Sequence, residues 1–272
     1  MTTAVRHIEG IEQAAWADLL RAPSHDDARR LGLFVDQRDG TLTFGAGGVD
    51  SILFNRSLGL DSASGGVELA CREAQRLFER HKVQRYFLHL YPQTCSHTLN
   101  HLLARAGVAR YHRGWVQFVR GDEPIAERTS PLEVRRARAS DAPAVAEILC
   151  QGFDVDSLAT PLWTSVIGRQ GWHVFVATAG ELVIAAGAVF IEGEHAYLAF
   201  SATRPGWRCR GAQGALMHAR IQHALESGCR SIVTETGEAV AGEENHSYRN
   251  MLRYGFTAVA LRHNYGPAHQ TW

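Results

Sequence analysis

Apolar and polar positions along the second half of the chain follow one order of elements. Residues 132–137 (Leu-Glu-Val-Arg-Arg-Ala) alternate as a half-buried strand does. Ser140-Asp141 then caps a stretch in which Ala144, Val145, Ile148 and Leu149 recur at helical spacing. Residues 172–177 and 182–191 are apolar runs joined by Thr178-Ala-Gly-Glu, a short polar turn with glycine, and so predict an antiparallel hairpin. A third strand is predicted over 196–203. After the turn at Arg204-Pro-Gly, the spacing of Ala215, Leu216, Ala219 and Leu225 predicts a helix over 212–226, ended by Gly228, with a strand at 231–234. Completed by a last helix and a strand at 258–261, the order is β-α-β-β-β-α-β-α-β, a mixed α+β layer.

Residues 120–131 (Arg-Gly-Asp-Glu-Pro-Ile-Ala-Glu-Arg-Thr-Ser-Pro) are polar, contain two prolines and interrupt two periodic regions, which predicts a linker between units at 1–125 and 130–272. The first unit repeats the plan of the second. Gly66 and Gly211 lie 145 positions apart, as do Ala70 and Ala215, Ala74 and Ala219, and Arg85 and Arg230. Further on, Arg105-Ala-Gly-Val lies over Arg253-Tyr-Gly-Phe at an offset of 148, the small drift that loop insertions produce.

Composition narrows the class. Twenty-eight basic residues balance 28 acidic ones, so no global field draws the chain to nucleic acid or an anionic membrane, and any anion site must be local. Five widely spaced cysteines with no C-x-x-C argue against a disulfide framework and a zinc site, and fit a reducing cytoplasm. No apolar run approaches the roughly 18 residues of a membrane span. The fourteen histidines include no H-E-x-x-H or comparable ligand set, so no metal is expected.

The segment most informative about chemistry is 204–216, Arg-Pro-Gly-Trp-Arg-Cys-Arg-Gly-Ala-Gln-Gly-Ala-Leu: a strand exit, a turn rich in Arg and Gly, then a helix N-terminus. Amides of a first helical turn lack intrahelical partners and sit at the positive end of the dipole, so they can cradle a diphosphate where glycine lets the backbone come close. Arg208 and Arg210 add charge. The same register in the first unit, Ala63-Ser64-Gly65-Gly66, has glycines without the arginines.

This segment resembles the cofactor loop of the GNAT superfamily of N-acetyltransferases, Arg/Gln-x-x-Gly-x-Gly/Ala: Arg208-Cys209-Arg210-Gly211-Ala212 fits, with Gln213 at the sixth position. Residues 245–256, Asn-His-Ser-Tyr-Arg-Asn-Met-Leu-Arg-Tyr-Gly-Phe, resemble the family's penultimate helix and closing Gly-Phe. The resemblance implies two GNAT-like halves, the first degenerate, each a mixed, mostly antiparallel twisted sheet flanked by helices. It also implies acetyl-CoA as acyl donor, bound where the sheet splays. The diphosphate would take amides of Arg210, Gly211, Ala212, Gln213, Gly214 and Ala215, helped by Arg208, and the pantetheine would pair near Ala202 and Thr203.

The implied reaction is direct attack of an amine on the thioester in a ternary complex, which needs a base and a donor for the leaving thiolate. Glu235 matches the Glu of the family's Leu-Glu-Val strand and is the expected base, its pKa raised by burial. Where many members have a tyrosine, this chain has Met251, which cannot donate a proton. Ser247, one helical turn earlier, is the expected substitute, with Tyr248 and Tyr254 near. The family's Asn falls on Glu244, beside Asn245, so its contacts are assigned to Asn245 and Asn250, with Arg249. The partner is a small-molecule or peptide amine, and the protein a monomer or homodimer. Met251 and the shifted Asn keep a second reading open, a non-catalytic CoA-binding or interaction protein. A different nucleotide-phosphate binder is a weaker third, since the Gly-Lys-Ser/Thr of a P-loop and the acidic residue that follows a dinucleotide fingerprint are both missing.

Overall fold

In the computed structural model, residues 3–126, 132–242 and 245–268 are described. The elements in chain order are helices α1 (Thr3–Arg21) and α2 (His25–Leu31), strands β1 (Leu33–Arg38), β2 (Thr41–Ala46) and β3 (Arg56–Leu58), helix α3 (Val67–Arg80), strand β4 (Phe87–Leu90), helix α4 (His97–Arg105), and strands β5 (Val108–Arg110) and β6 (Trp115–Arg120). The second half contributes β7 (Glu133–Arg136), α5 (Ala142–Phe153), α6 (Thr160–Thr164), β8 (Trp172–Ala179), β9 (Leu182–Glu192), β10 (His195–Thr203), α7 (Ala212–Glu226), β11 (Ser231–Gly237), α8 (His246–Arg253) and β12 (Thr257–Pro267). The order expected from the sequence is observed here, with the short α6 added. The expected linker lies partly outside the described residues, as does Glu244.

The strands form one sheet in the order β1-β2-β3-β4-β12-β6-β11-β10-β9-β8-β7, with β5 on β12. Only β3·β4 and β10·β11 are parallel, so the sheet is mostly antiparallel. Within the sequence repeat, α3 and α7 both start on a left-handed or positive-φ glycine (Gly66, φ +87°; Gly211, φ +88°), and each lies between the strands of a parallel pair.

The last strand of each half sits in the other half's ladder. β6 pairs with β11 (Glu235↔Gln117, Gly237↔Trp115), while β12 pairs with β4 (Asn264↔His89), and β6 and β12 pair with each other at the centre. A β-strand needs a partner on both edges to satisfy its amides, and this exchange supplies one to each without leaving a free edge at the junction. Apolar clusters lie on both sides of the sheet. One joins α1 to α5, β8 and β10 (Trp16, Leu20, Leu149, Trp163, Trp172, Phe200), and so binds the two halves directly. A second packs α7 and α8 on the opposite face through Leu216, Ile221, Met251 and Phe256.

Candidate active site

β10 and β11 pair only through His195↔Ser231, Ala196↔Ile232 and Tyr197↔Val233, although β10 continues to Thr203 and β11 to Gly237. Their separation has a local cause. Between Leu198 and Ser201, β10 holds one residue more than its partner β9, and such a bulge bends a strand and increases its twist. At the fork the Thr234 hydroxyl donates to the Leu198 carbonyl at 2.9 Å, replacing the ladder bond that the divergence removes. The result is a cleft of about 1550 Å³.

One end of the cleft is the turn before α7. Cys209 (φ +62°) and Gly211 (φ +88°) take left-handed conformations on either side of Arg210, the kind of turn from which anion nests are built. The next amides, those of Ala212, Gln213 and Gly214, precede the first possible intrahelical bond. Arg208, Gly211, Ala212, Gln213, Gly214 and Ala215 line the cleft, while Arg210 lies beside it, its guanidinium 4.9 Å over the Trp207 ring. The Ala215 amide, expected to reach the ligand, instead donates to the Gly211 carbonyl at 3.0 Å; the remaining donors fit a diphosphate. The Gln213 side chain has a different job: its carbonyl accepts from the Ser201 hydroxyl and its NH2 donates to the Thr203 hydroxyl, both at 2.9 Å, tying α7 to β10. What Gln213 offers a ligand at the cradle is its backbone N–H, while its side chain is held against β10.

Arg204 gives its amide to Ile184 of β9, and antiparallel strands alternate the direction of their polar groups. Thr203 and Ser201 thus turn their backbone amides and carbonyls toward the opening, and Ala202 turns its own toward β9. Ser247, Asn250 and Tyr254 line the cleft from α8 and the turn after it. The Tyr254 phenol donates to the Gly214 carbonyl at 2.8 Å. Asn245 does not line the cleft. Its carbonyl accepts from the Tyr248 amide (2.9 Å) and its NH2 donates to the Gly237 carbonyl (2.6 Å), so it caps α8 and ties that helix to the end of β11.

Glu235 lines the cleft from β11, between the two halves. It accepts from Arg56 of β3 at 2.7 Å, from Arg262 of β12, and from the Tyr197 hydroxyl at 3.2 Å, which itself accepts from the Trp16 indole at 3.2 Å. Arg56 is sandwiched between Trp16 (4.2 Å) and Trp115 (4.6 Å). Below it lies Glu12 of α1, held by Arg262. Two of the expectations for Glu235 separate here. Burial was expected to raise its pKa; burial does push it up, but the two guanidiniums outweigh this and hold it below the usual carboxylate range. The raised carboxyl is Glu12, which burial pushes up to about 7 against the pull of Arg262.

Sequence reasoning missed Glu12, Arg56, Tyr197, Trp16 and Arg262. The available signal was a charged residue inside an apolar helix face or strand, as with Glu12 between Ile11 and Ala15 or Arg262 after Leu261. In the first half the corresponding fork is filled. The parallel pairing of β3 and β4 stops after Ser57↔Leu88, and there the Asp61 carboxylate accepts the Tyr91 amide at 3.1 Å while Leu60 and Cys71 are buried beside it.

A splayed sheet with an anion cradle on a helix N-terminus is a fold that known proteins share. Residues 142–256 match the acetyltransferase (GNAT) family, so the chain carries a GNAT domain. Among solved structures, a GCN5-related N-acetyltransferase from Kribbella flavida superposes with a TM-score of 0.64 at 14% identity, over 97% of this chain and 96% of that one. A GCN5-related N-acetyltransferase from Sphaerobacter thermophilus gives 0.60 at 14% identity, over 92% and 90%. A tandem GNAT protein from the clavulanic acid biosynthesis pathway gives 0.58 at 14% identity, over 96% of each chain. At this identity the likenesses establish the fold. No curated protein matches the chain in sequence. Among the described residues, no helix is long and apolar enough to cross a membrane, and no group of three His, Cys, Asp or Glu is placed to hold a metal ion.

Proposed function

We propose that the protein is an N-acetyltransferase that moves the acetyl group of acetyl-CoA to an amine by direct attack in a ternary complex. The observation that carries this is the joint presence, in one cleft, of the cradle at 208–215 and the carboxylate of Glu235 on the facing strand. Residues 1–125 and 130–272 are read as two GNAT-like units that exchange their last strands. The second unit holds the donor; the first, its own fork filled, completes the site around Glu235.

In the reaction the amine nitrogen attacks the thioester carbonyl carbon, the carbon–sulfur bond breaks, and the proton lost by nitrogen leaves through Glu235 while the thiolate takes one up, giving an amide and free CoA. Thr203 and Ser201 offer backbone groups to the pantetheine arm. A depressed carboxyl is a weak base but stays ionised at neutral pH, so Glu235 accepts a proton directly or through water without first having to lose one. For the thiolate, Ser247 and Tyr254 are the hydroxyls that α8 and the turn after it bring to the cleft; Tyr254 already donates to Gly214, which leaves Ser247 as the proposed donor. The test is thiol release from acetyl-CoA with an amine panel. Turnover that falls in Glu235→Gln while acetyl-CoA affinity holds supports the reading. Acetyl-CoA binding without turnover of any amine would favour a CoA-binding protein that is not an enzyme.

A further inference from the structure

The cleft is chemically two-ended, and the difference bears on the acceptor. At the α7 and α8 end the lining side chains include Arg208, Arg249 and Arg253. At the other end, around Glu235, Tyr197, Thr234 and Thr236 of the second half are joined by a wall from the first half and from α5: Trp16, Ile52, Leu53, Trp115 and Phe153. Ile52 and Leu53 belong to the loop that leads into β3, whose first residue is the Arg56 bound to Glu235. Trp16 and Trp115 flank that same guanidinium. Trp16 and Trp115 therefore flank the ion pair of Glu235, and Ile52 and Leu53 stand on the loop that leads to its partner Arg56.

The charge around Glu235 is already balanced. Two carboxylates, Glu12 and Glu235, face two guanidiniums, Arg56 and Arg262, both wholly out of solvent beneath the wall, while the third carboxyl within reach of Arg262, Glu9, is pushed by burial toward its neutral form. Such a cluster has no surplus negative charge to hold an ammonium ion, and apolar walls disfavour the charged form of an amine entering among them. Among the described lining residues at this end there is also no cationic side chain to pair an acidic group on the acceptor. A carboxylate or phosphate brought there would be desolvated without a partner.

We propose that the acceptor is a primary amine on an apolar body, aromatic or branched, with no carboxylate or phosphate and no second cationic centre. Resting on the acetyltransferase reading, this assigns specificity to the wall formed by Ile52, Leu53, Trp115 and Phe153. The matched probes are 2-phenylethylamine and phenylalanine, which differ by the carboxylate alone, and spermidine, which adds cationic centres. Thiol release is followed at saturating acetyl-CoA, with donor binding measured by calorimetry on the same full-length protein. The expected result is kcat/KM for 2-phenylethylamine at least about 100-fold above those of phenylalanine and spermidine, since an unpaired charge must be buried with the latter two. Leu53→Arg, which supplies a cation at the wall, is expected to narrow the gap to phenylalanine and leave acetyl-CoA affinity unchanged. Equal use of the three amines, preference for either charged one, or donor binding with no turnover of 2-phenylethylamine overturns the inference while the donor site stands. Failure to bind acetyl-CoA overturns the reading beneath it.

Discussion

Arg262 of β12 grips Glu12 of α1 through two parallel hydrogen bonds of 2.9 Å each, with both side chains shut off from solvent. The pair joins the first helix of the chain to its last strand, 250 residues apart, and the same guanidinium reaches on to Glu235. Removing one member of a buried ion pair leaves the other charged and unpaired. Arg262→Met is therefore expected to cost about 3–5 kcal/mol of stability in denaturant titration, far more than an exposed charge. A loss below about 1 kcal/mol would contradict the role given to this pair.

The two carboxyls of the cluster make opposite contributions to stability as pH changes. Glu12 has a folded pKa near 7, above its ordinary value of 4.5, so the native state binds more protons than the unfolded state between those values. Its contribution to stability is then largest in acid and declines as pH rises from about 4.5 to 7, by at most about 1.4 kcal/mol per pH unit. Glu235, held below 4.5, contributes stability that is present above that value and is lost only as pH falls through its lower folded pKa. Unfolding of the wild type and of Glu12→Gln, compared from pH 5 to 7, should show wild-type stability falling relative to the variant as pH rises. A difference that rises instead would contradict the assignment.

Gly211 takes φ +88° at the point where the turn meets α7. A β-carbon there meets no neighbour within 4 Å, so the effect of substitution begins with backbone conformation rather than a clash. Left-handed backbone costs an ordinary residue about 1–2 kcal/mol, so Gly211→Val is expected to weaken acetyl-CoA roughly tenfold with the fold intact by circular dichroism.

Asn245 serves α8 as its cap. Asn245→Ala is expected to lower stability by about 0.5–2 kcal/mol, while acetyl-CoA affinity changes less than in Arg208→Ala. A variant of full stability with lost donor binding would return Asn245 to the cofactor.

Local signals in the sequence carried much of this. The helix over 212–226 and the turn before it were legible because helical spacing and a glycine-bounded start are properties of adjacent residues. The hairpin of β8 and β9 was legible for the same reason. The exchange of β6 and β12 was not, since strand pairing between residues 115–120 and 231–267 leaves no trace in the periodicity of either. The pKa of Glu235 was misjudged for a related reason: burial can be inferred from its strand, but Arg56 lies 179 residues away and meets it only through the fold.

The central claim, one working donor site at residues 208–215, is tested most directly by calorimetric titration of the full-length protein with acetyl-CoA, beside Arg208→Ala/Arg210→Ala. The account predicts one molecule bound per chain and an affinity clearly weakened in the double variant, because the first-half fork is filled by Asp61, Tyr91 and Leu60. Two sites per chain, no binding, or a single site indifferent to both arginines would contradict it.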